Sequence, residues 1–252
     1  MSGHSKWSQI KRQKGANDAK RGALFTKLTR EIITAARQGG GDVDANYRLR
    51  MAVDKARANS MPAENIKRAI ERATGGGADA EQYEEITYEG FGPANVAVIV
   101  QAMTDNRNRT ASEVRSIFNK AGGSLSPVAW QFEQKGIISV PLNGQDPDEV
   151  TLAAIDAGAA DVGSPEGGAI VVTTEPNDLE TVRKALADAG YPPDDAELSM
   201  EPTTKIELSD ERSAKAVLQF VERLEDLDDV QNVYANFDIP DQLMEQLEAS
   251  VA

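Results

Sequence analysis

The sequence predicts an α+β protein of three domains: an N-terminal helical domain, a discontinuous α/β middle domain, and a ferredoxin-like βαββαβ domain inserted into the middle one. Three observations support this prediction. Apolar residues recur at helical spacing before residue 77, strand-like patterns follow residue 84, and a βαββαβ order lies between residues 134 and 202. The predicted domains and the C-terminal tail are residues 1–77, residues 81–133 plus 203–240, residues 134–202, and residues 241–252.

The N-terminal domain is predicted to contain three helices. Apolar residues at helical spacing mark the first helix over residues 18–38 and the second over residues 45–58. Pro62 suits the first turn of the third helix, because proline lacks the amide hydrogen that this turn leaves unpaired. Glycine triplets that begin at Gly39 and Gly75 end the first and third helices, and the second triplet is the best candidate for a linker.

The first part of the middle domain is predicted to contain strands on either side of one helix. Alternation over residues 85–89 and the apolar run over residues 96–103 predict two strands. Thr110 and Glu113 form a capping-box pattern, which predicts that Thr110 caps the helix that follows. A further strand is predicted over residues 128–132.

The βαββαβ unit then interrupts the middle domain. Its predicted elements are strand 137–140, helix 148–157, strand 160–162, strand 169–174, helix 178–189 and strand 196–200. A strand over 205–208, a helix over 211–224 and a strand over 231–237 follow this unit. Because the strands before residue 134 need further partners, we expect these later elements to complete their sheet, which makes the middle domain discontinuous. A helix over residues 241–249 is predicted as a tail.

Charge is divided unevenly along the chain. Residues 1–77 carry 16 Lys+Arg and 7 Asp+Glu, a net charge of +9, whereas the remaining 175 residues carry 11 and 34, a net charge of −23. A basic block joined to an acidic body is typical of a polyanion-binding arm on a self-solubilising body. The low overall pI hides this division.

Phosphate binding depends mostly on local positive charge, so the first 30 residues are the main candidate site. Trp7 lies in this basic segment, where its ring is suited to stack on a base. The candidate cations are Lys6, Lys11, Arg12, Lys14, Lys20, Arg21, Lys27 and Arg30. On the first helix, Lys20, Lys27 and Arg30 are predicted to form a solvated stripe. The alternative is that these cations are only a soluble helix surface and that Trp7 fills a core.

The loop between the second strand and the next helix is a second candidate. Arg107, Asn108 and Arg109 stand where side chains and backbone N–H groups are exposed to anions. The alternative is that Arg107 and Arg109 pair with Asp105 and Glu113 as a structural network. The sequence leaves the two interpretations open.

Enzymatic patterns are nearly absent. The chain has no cysteine, and His4 is its single histidine, so catalysis by a cysteine or by a histidine triad is not expected. No phosphate-binding glycine motif occurs. The acidic run over residues 225–229 is expected to be solvated surface rather than a cation site. We therefore predict a non-enzyme with no cofactor, no metal and no small-molecule substrate.

The composition also limits the compartment. No apolar stretch approaches the roughly 18 residues that a membrane-spanning helix needs, so no membrane partner is expected. The N-terminus lacks the apolar segment of a secretory signal. The absence of cysteine fits a reducing compartment, and a cytoplasmic location is predicted.

Motifs over the first half of the chain resemble the YebC/PmpR family. They are Gly3-His4-Ser5-Lys6-Trp7, Asp18-Ala19-Lys20-Arg21, Phe25-Thr26-Lys27-Leu28, Gly39-Gly40-Gly41-Asp42, Asn46, Arg48-Leu49-Arg50, Met61-Pro62, Tyr88-Glu89-Gly90-Phe91-Gly92-Pro93, Thr104-Asp105-Asn106-Arg107-Asn108-Arg109-Thr110, Val114-Arg115, Phe118 and Gly122-Gly123. This chain departs from the family pattern at Ala94-Asn95, where two glycines are usual. It also lacks a longer glycine-containing stretch at residues 124–128.

The resemblance implies a helical domain followed by two α/β domains. It also implies a cytoplasmic transcriptional regulator that binds DNA, whereas some similar proteins, including mitochondrial ones, are translation factors bound to ribosomes. DNA-binding transcription regulation is our first hypothesis, and a translation factor that binds ribosomal RNA is its rival. No helix-turn-helix is predicted, because a long glycine-rich loop joins the first two helices. A monomer is favoured.

Overall fold

The computed structural model describes residues 18–75, 83–240, 242–244 and 246–247. It contains two compact units, of which one is 132–201 and the other comprises the described residues of 2–131 and 202–252. Across the described ranges, no helix is both long enough and apolar enough to cross a membrane. The mixed helical and sheet architecture confirms the predicted α+β class.

Three helices form the N-terminal part of the larger unit: α1 (Asp18–Gly39), α2 (Tyr47–Ala58) and α3 (Ala63–Thr74). They confirm the three predicted helices within a few residues. Asn46 caps α2, because its side-chain oxygen accepts from the backbone N–H of Leu49 at 3.1 Å. Its side-chain nitrogen donates to the carbonyls of Ala35 and Gly40, both at 2.8 Å, so one residue joins the end of α1 to the start of α2.

The helices share an apolar core of their own. Its buried members are Leu28, Ile32, Ile33, Ala35, Ala36, Leu49, Ala52, Val53, Ala56, Met61, Ile66 and Ala69. Small alanines allow close approach of the helices, and the aliphatic residues fill the space between them.

A four-stranded sheet and two helices form most of the rest of the larger unit. The strands are β1 (Glu84–Phe91), β2 (Ala97–Thr104), β3 (Ser124–Leu125) and β9 (Val230–Ala235), in the spatial order β3-β1-β2-β9. The helices are α4 (Arg107–Lys120) and α7 (Glu211–Glu225). They share the sheet's core, in which Phe118 and Phe220 meet edge to face with their ring centres 4.9 Å apart.

Pairing between β2 and β9 joins segments far apart in the sequence. These strands are antiparallel, with Val98 opposite Ala235 and Val100 opposite Val233. A short parallel pair, β8 (Ile206–Glu207) and β10 (Phe237–Asp238), flanks α7 and β9 along the chain. Of the two later strands expected to complete the earlier sheet, β9 does so, whereas β8 pairs with β10 outside that sheet. The three-domain division itself stays a prediction, because α1–α3 and this sheet form one compact unit.

The smaller unit has the predicted βαββαβ order. Its elements are β4 (Phe132–Pro141), α5 (Pro147–Asp156), β5 (Asp161–Val162), β6 (Ala169–Thr174), α6 (Leu179–Asp188) and β7 (Asp195–Pro202). The spatial order is β5-β6-β4-β7, in which both split βαβ connections pass over an intervening antiparallel strand. This is the strand order of a ferredoxin-like sheet.

Two local predictions were wrong. Residues 128–132 do not form a separate strand: Ala129–Gln131 is a 3₁₀ turn, and β4 begins at Phe132. Thr110 does not cap α4, because Asn106 accepts from the backbone N–H of Arg109 at 3.1 Å and caps the helix one turn earlier. Thr110 is fully buried and bonds inward instead.

Ala94 and Asn95, which stand where the family usually has two glycines, adopt backbone conformations that favour glycine. Ala94 has φ 55° and Asn95 has φ 58° in the turn between β1 and β2. A side chain is disfavoured at such angles, most strongly when it is not Asn or Asp. The two glycines usual in the family would remove this strain.

Candidate nucleic-acid interface

The structure separates the candidate cations of the first helix. Arg21 is exposed, and its guanidinium carbon lies 5.6 Å from the centre of the Phe25 ring. Lys27 is half-buried and donates to the backbone carbonyl of Glu225. The side chain of Lys20 lies outside the described part, as do all atoms of Lys6, Trp7, Lys11, Arg12 and Lys14.

Arg30 is held against the turn that joins α7 to β9. Its side chain is only 15% exposed, and its NH1 atom lies 3.0 Å from Oδ1 of Asp229. The same atom donates to the backbone carbonyl of Asp228, and the guanidinium stands 5.4 Å from the centre of the Tyr83 ring. Lys27 and Arg30 therefore do not form the solvated stripe that was expected, because the turn offers them carbonyls and a carboxylate.

Asp229 is the centre of this contact. The residue is 3% exposed, and its Oδ2 atom accepts from the hydroxyls of Thr104 at 3.0 Å and Thr110 at 2.7 Å. Arg109 adds a charged hydrogen bond to the same oxygen at 2.8 Å. Oδ1 faces Arg30 without an aligned hydrogen bond. One carboxylate thus joins α1, the end of β2 and the start of α4.

Electrostatics within the cluster favour the charged form of Asp229. Burial raises the pKa of its carboxyl, but hydrogen bonds from Arg109, Thr110 and Thr104 outweigh burial, so the pKa lies below its ordinary value. The hydrogen bond to Asp229, with a second one to Asp105, raises the pKa of the Arg109 guanidinium. The carboxylate of Asp229 and the guanidinium of Arg109 are therefore both charged at neutral pH.

The loop candidates also divide into two kinds. Arg109 pairs with Asp105 at 2.7 Å and with Asp229, which agrees in part with the structural alternative for this loop. Arg107 is 72% exposed, and its Nε atom lies 4.0 Å from a carboxylate oxygen of Glu84 rather than beside Glu113. Asn108 is exposed. Arg107 and Asn108 are therefore accessible to an external anion, whereas Arg109 is engaged internally.

Further accessible cations lie on α2 and α3. Arg57, Lys67 and Arg68 have side chains 65–68% exposed, and each has an acidic neighbour on the same helix at 3.3–3.8 Å. Exposed pairs of this kind contribute little, so a phosphate can compete for these cations. Helical spacing alone could have indicated them, since they fall off the apolar face.

The acidic run over residues 225–229 is only partly solvated. Asp226 and Asp228 are exposed as expected, but Asp229 is buried, which corrects the interpretation of the whole run as surface. Within the described residues, no group of three or more His, Cys, Asp or Glu side chains is arranged to hold a metal ion. His4 lies outside those residues.

The fold defines a class of protein in which a basic three-helix part precedes a discontinuous sheet with an inserted ferredoxin-like unit. The family model of the TACO1/YebC protein N-terminal domain matches residues 5–76. The model of the TACO1/YebC second and third domain matches residues 83–237. The chain therefore belongs to the TACO1/YebC family, and the resemblance found in its motifs is confirmed.

Relatives match along nearly the whole chain. A protein of Rubrobacter xylanophilus is 52% identical over 98% of this chain and 99% of its own length, and one of Chloroflexus aggregans is 53% identical over 99% and 100%. Both are named probable transcriptional regulatory proteins. A crystal structure of a conserved hypothetical protein from Aquifex aeolicus is 45% identical and has a TM-score of 0.82 over 90% of this chain and 95% of that one.

Proposed function

We propose that this protein is a non-enzymatic regulator that binds nucleic acid through its basic N-terminal part, with DNA as its target in transcription regulation. The observation that carries the proposal is the division of charge, +9 over residues 1–77 against −23 over the rest. Each Lys or Arg that contacts a phosphate releases counterions, so binding energy concentrates where such residues concentrate. The names of the relatives support the transcriptional role.

The acidic remainder supports the same division of labour. Residues 132–201 carry 15 Asp+Glu and 3 Lys+Arg. Those cations are Lys135, which bonds Glu175 at 2.9 Å, and Arg183 and Lys184, which both contact Glu180. This unit repels a polyanion, and we infer that it presents its surface to proteins and suppresses nonspecific adhesion.

Ribosomal RNA is the rival target, and one feature bears on it. RNA-binding sheets of βαββαβ order stack bases on exposed aromatic side chains. In the strands of the inserted unit the aromatic side chain is Phe132, which is 6% exposed. Base recognition by the face of that sheet is therefore not expected, and the βαββαβ order gives no reason to prefer RNA.

Affinity measurements on charge variants test the binding site. Neutralising Lys11, Arg12 and Lys14 together should weaken binding to duplex DNA and flatten its dependence on salt, with a loss of slope of about 0.9 per lost phosphate contact. The matched control neutralises three exposed cations of the acidic part, Lys120, Arg212 and Arg223. Equal affinity of the first variant and the wild type would refute the N-terminal site.

Crosslinking in cells tests the target. The protein is irradiated with ultraviolet light, purified and stripped of the attached nucleic acid, which is then sequenced. Discrete promoter DNA would support the transcriptional proposal. Ribosomal RNA clustered at one position would replace it with a translation factor, and the charge-driven DNA affinity would then be background.

A further inference from the structure

Trp130 is the most exposed large apolar side chain in the described part of the chain, at 76%. Other large rings, such as Phe118 and Phe237, are fully buried. Tryptophan is highly buried on average in folded proteins, so an indole left in water points to a contact made with something else.

The backbone that carries Trp130 is fixed on its N-terminal side. One carboxylate oxygen of Glu89 accepts from the N–H of Val128 at 2.7 Å and from the N–H of Ala129 at 2.8 Å. The N–H of Gln131 donates to the carbonyl of Val128 at 2.9 Å and closes the turn. Val128 itself is fully buried.

The C-terminal side is fixed as well. The carbonyl of Gln131 accepts from the N–H of Thr203 at 2.8 Å. The side-chain amide of Asn236 donates to the side-chain oxygen of Gln131 at 3.1 Å, and the oxygen of Asn236 accepts from the N–H of Ala97 at 2.8 Å. The indole is therefore presented from a rigid turn, and binding would order little more than its two side-chain torsions.

The surroundings of the ring indicate the kind of ligand. A protein interface encloses a tryptophan anchor among other apolar contacts, but residues 129–131 and 203–205 expose no other large apolar side chain. These residues include no carboxylate, and Lys205 adds a cation. One oxygen of the Glu89 carboxylate accepts from two backbone donors, and Glu133, three residues after Trp130, lies 3.4 Å from the Lys135 ammonium. An exposed ring whose neighbours along the chain are small or polar suits a flat ligand, and Lys205 favours one that carries phosphates.

We propose that Trp130 is a stacking platform for an unpaired nucleobase, in DNA or in RNA. The inference rests on the proposed nucleic-acid binding and adds to it a contact outside the basic N-terminal part. Stacking on one aromatic ring contributes about 1–3 kcal/mol per base and is nearly independent of base identity. Because an unpaired base offers its face for stacking, a single strand or a distorted duplex should bind Trp130 better than an intact duplex does.

The test compares two single strands of about 16 nucleotides. One is oligothymidylate, and the other has the same phosphates but abasic sugars, so that their difference in affinity isolates base stacking. The full chain should prefer the base-bearing strand by about 5- to 100-fold, and Trp130→Ala should abolish the preference while Trp130→Phe keeps part of it. Because the ring is exposed, Trp130→Ala should leave the thermal midpoint unchanged. In a Trp7→Phe variant, quenching of the remaining indole fluorescence should follow binding.

Each outcome has a distinct meaning. If the wild type binds both strands equally, Trp130 is not a stacking residue, although the charge-based proposal survives. If the preference persists in Trp130→Ala but is lost in Trp7→Ala, the platform is Trp7 and the inference is wrong. If the wild type binds neither strand nor duplex DNA, both proposals fail. Repeating the comparison with oligouridylate distinguishes DNA from RNA as the source of the base.

Discussion

Replacing Asp229 with alanine should destabilise the larger unit far more than replacing an exposed acidic residue such as Asp228. The Asp229 carboxylate is 3% exposed, accepts three hydrogen bonds at 2.7–3.0 Å and faces Arg30. Removing one partner from a buried ionic pair costs about 3–5 kcal/mol, since the remaining charge is left unpaired. Arg109 is 43% exposed and can regain water, so the lower end, about 3 kcal/mol, applies.

Calorimetric unfolding measures this effect. For a chain of this size a loss of about 3 kcal/mol lowers the midpoint by about 6–12 °C. Asp228→Ala is the matched control, because its side chain is exposed and only its backbone carbonyl bonds Arg30. Midpoints that are equal in the two variants would show that the buried carboxylate does not hold α1 to the sheet.

The same variant predicts a dependence on pH. The pKa of Asp229 is lower in the folded protein than its ordinary value of about 3.9, so its ionisation stabilises the fold above that value. This contribution is lost as the pH falls through the lower pKa of the folded state. The difference in stability between wild type and Asp229→Ala should therefore be constant near neutrality and shrink below about pH 4. A difference that does not change down to the acid transition would contradict the ionic account.

Three further substitutions test other contacts. Ala94→Gly should stabilise the protein by about 0.5–1 kcal/mol in urea unfolding. The strain energy relieved at a positive φ exceeds the entropic cost of the more flexible unfolded chain, and an unchanged stability would argue against strain at this turn. Asn46→Ala should cost about 1–2 kcal/mol by the same measurement, through loss of the cap on Leu49, and an unchanged midpoint would show that the cap is dispensable. Arg109→Ala should lower the thermal midpoint whereas Arg107→Ala should not, and the reverse order would exclude the internal pairing of Arg109.

Elements with a strong period were predictable from the sequence. The helical spacing of α1 and the βαββαβ order of the inserted unit depend on which residues must be buried, and that information is local. The count of strands that lacked partners predicted that the later segment joins the earlier sheet, but it did not identify β2 as the partner of β9 or place β8 outside that sheet. These arguments needed no side-chain geometry.

The candidate site was less predictable, because burial of a polar group depends on tertiary contacts. Asp229 stands in an acidic run that looks solvated, and only its position directly before Val230, the first residue of a buried strand, distinguishes it. Thr110 was predicted to cap the helix because Glu113 follows at the spacing of a capping box. The helix instead begins one turn earlier, where Asn106 is the capping residue. Trp130 lies within the strand predicted over residues 128–132, and aromatic residues are enriched in strands, so nothing local indicated an exposed turn.

The cations that belong to the fold change what the charge count means for binding. Eight Lys and Arg within the first 30 residues would give a salt slope near −7 on duplex DNA if all contacted phosphates. Lys27 and Arg30 are bonded to the turn at residues 225–229, so we expect a slope nearer −5 from this segment. The measurement is the DNA affinity of wild type and Arg30→Gln over a range of salt concentrations. Arg30→Gln should lower the stability of the fold and leave the salt slope of DNA binding unchanged. A salt slope reduced by about 0.9 with unchanged stability would show instead that Arg30 contacts a phosphate.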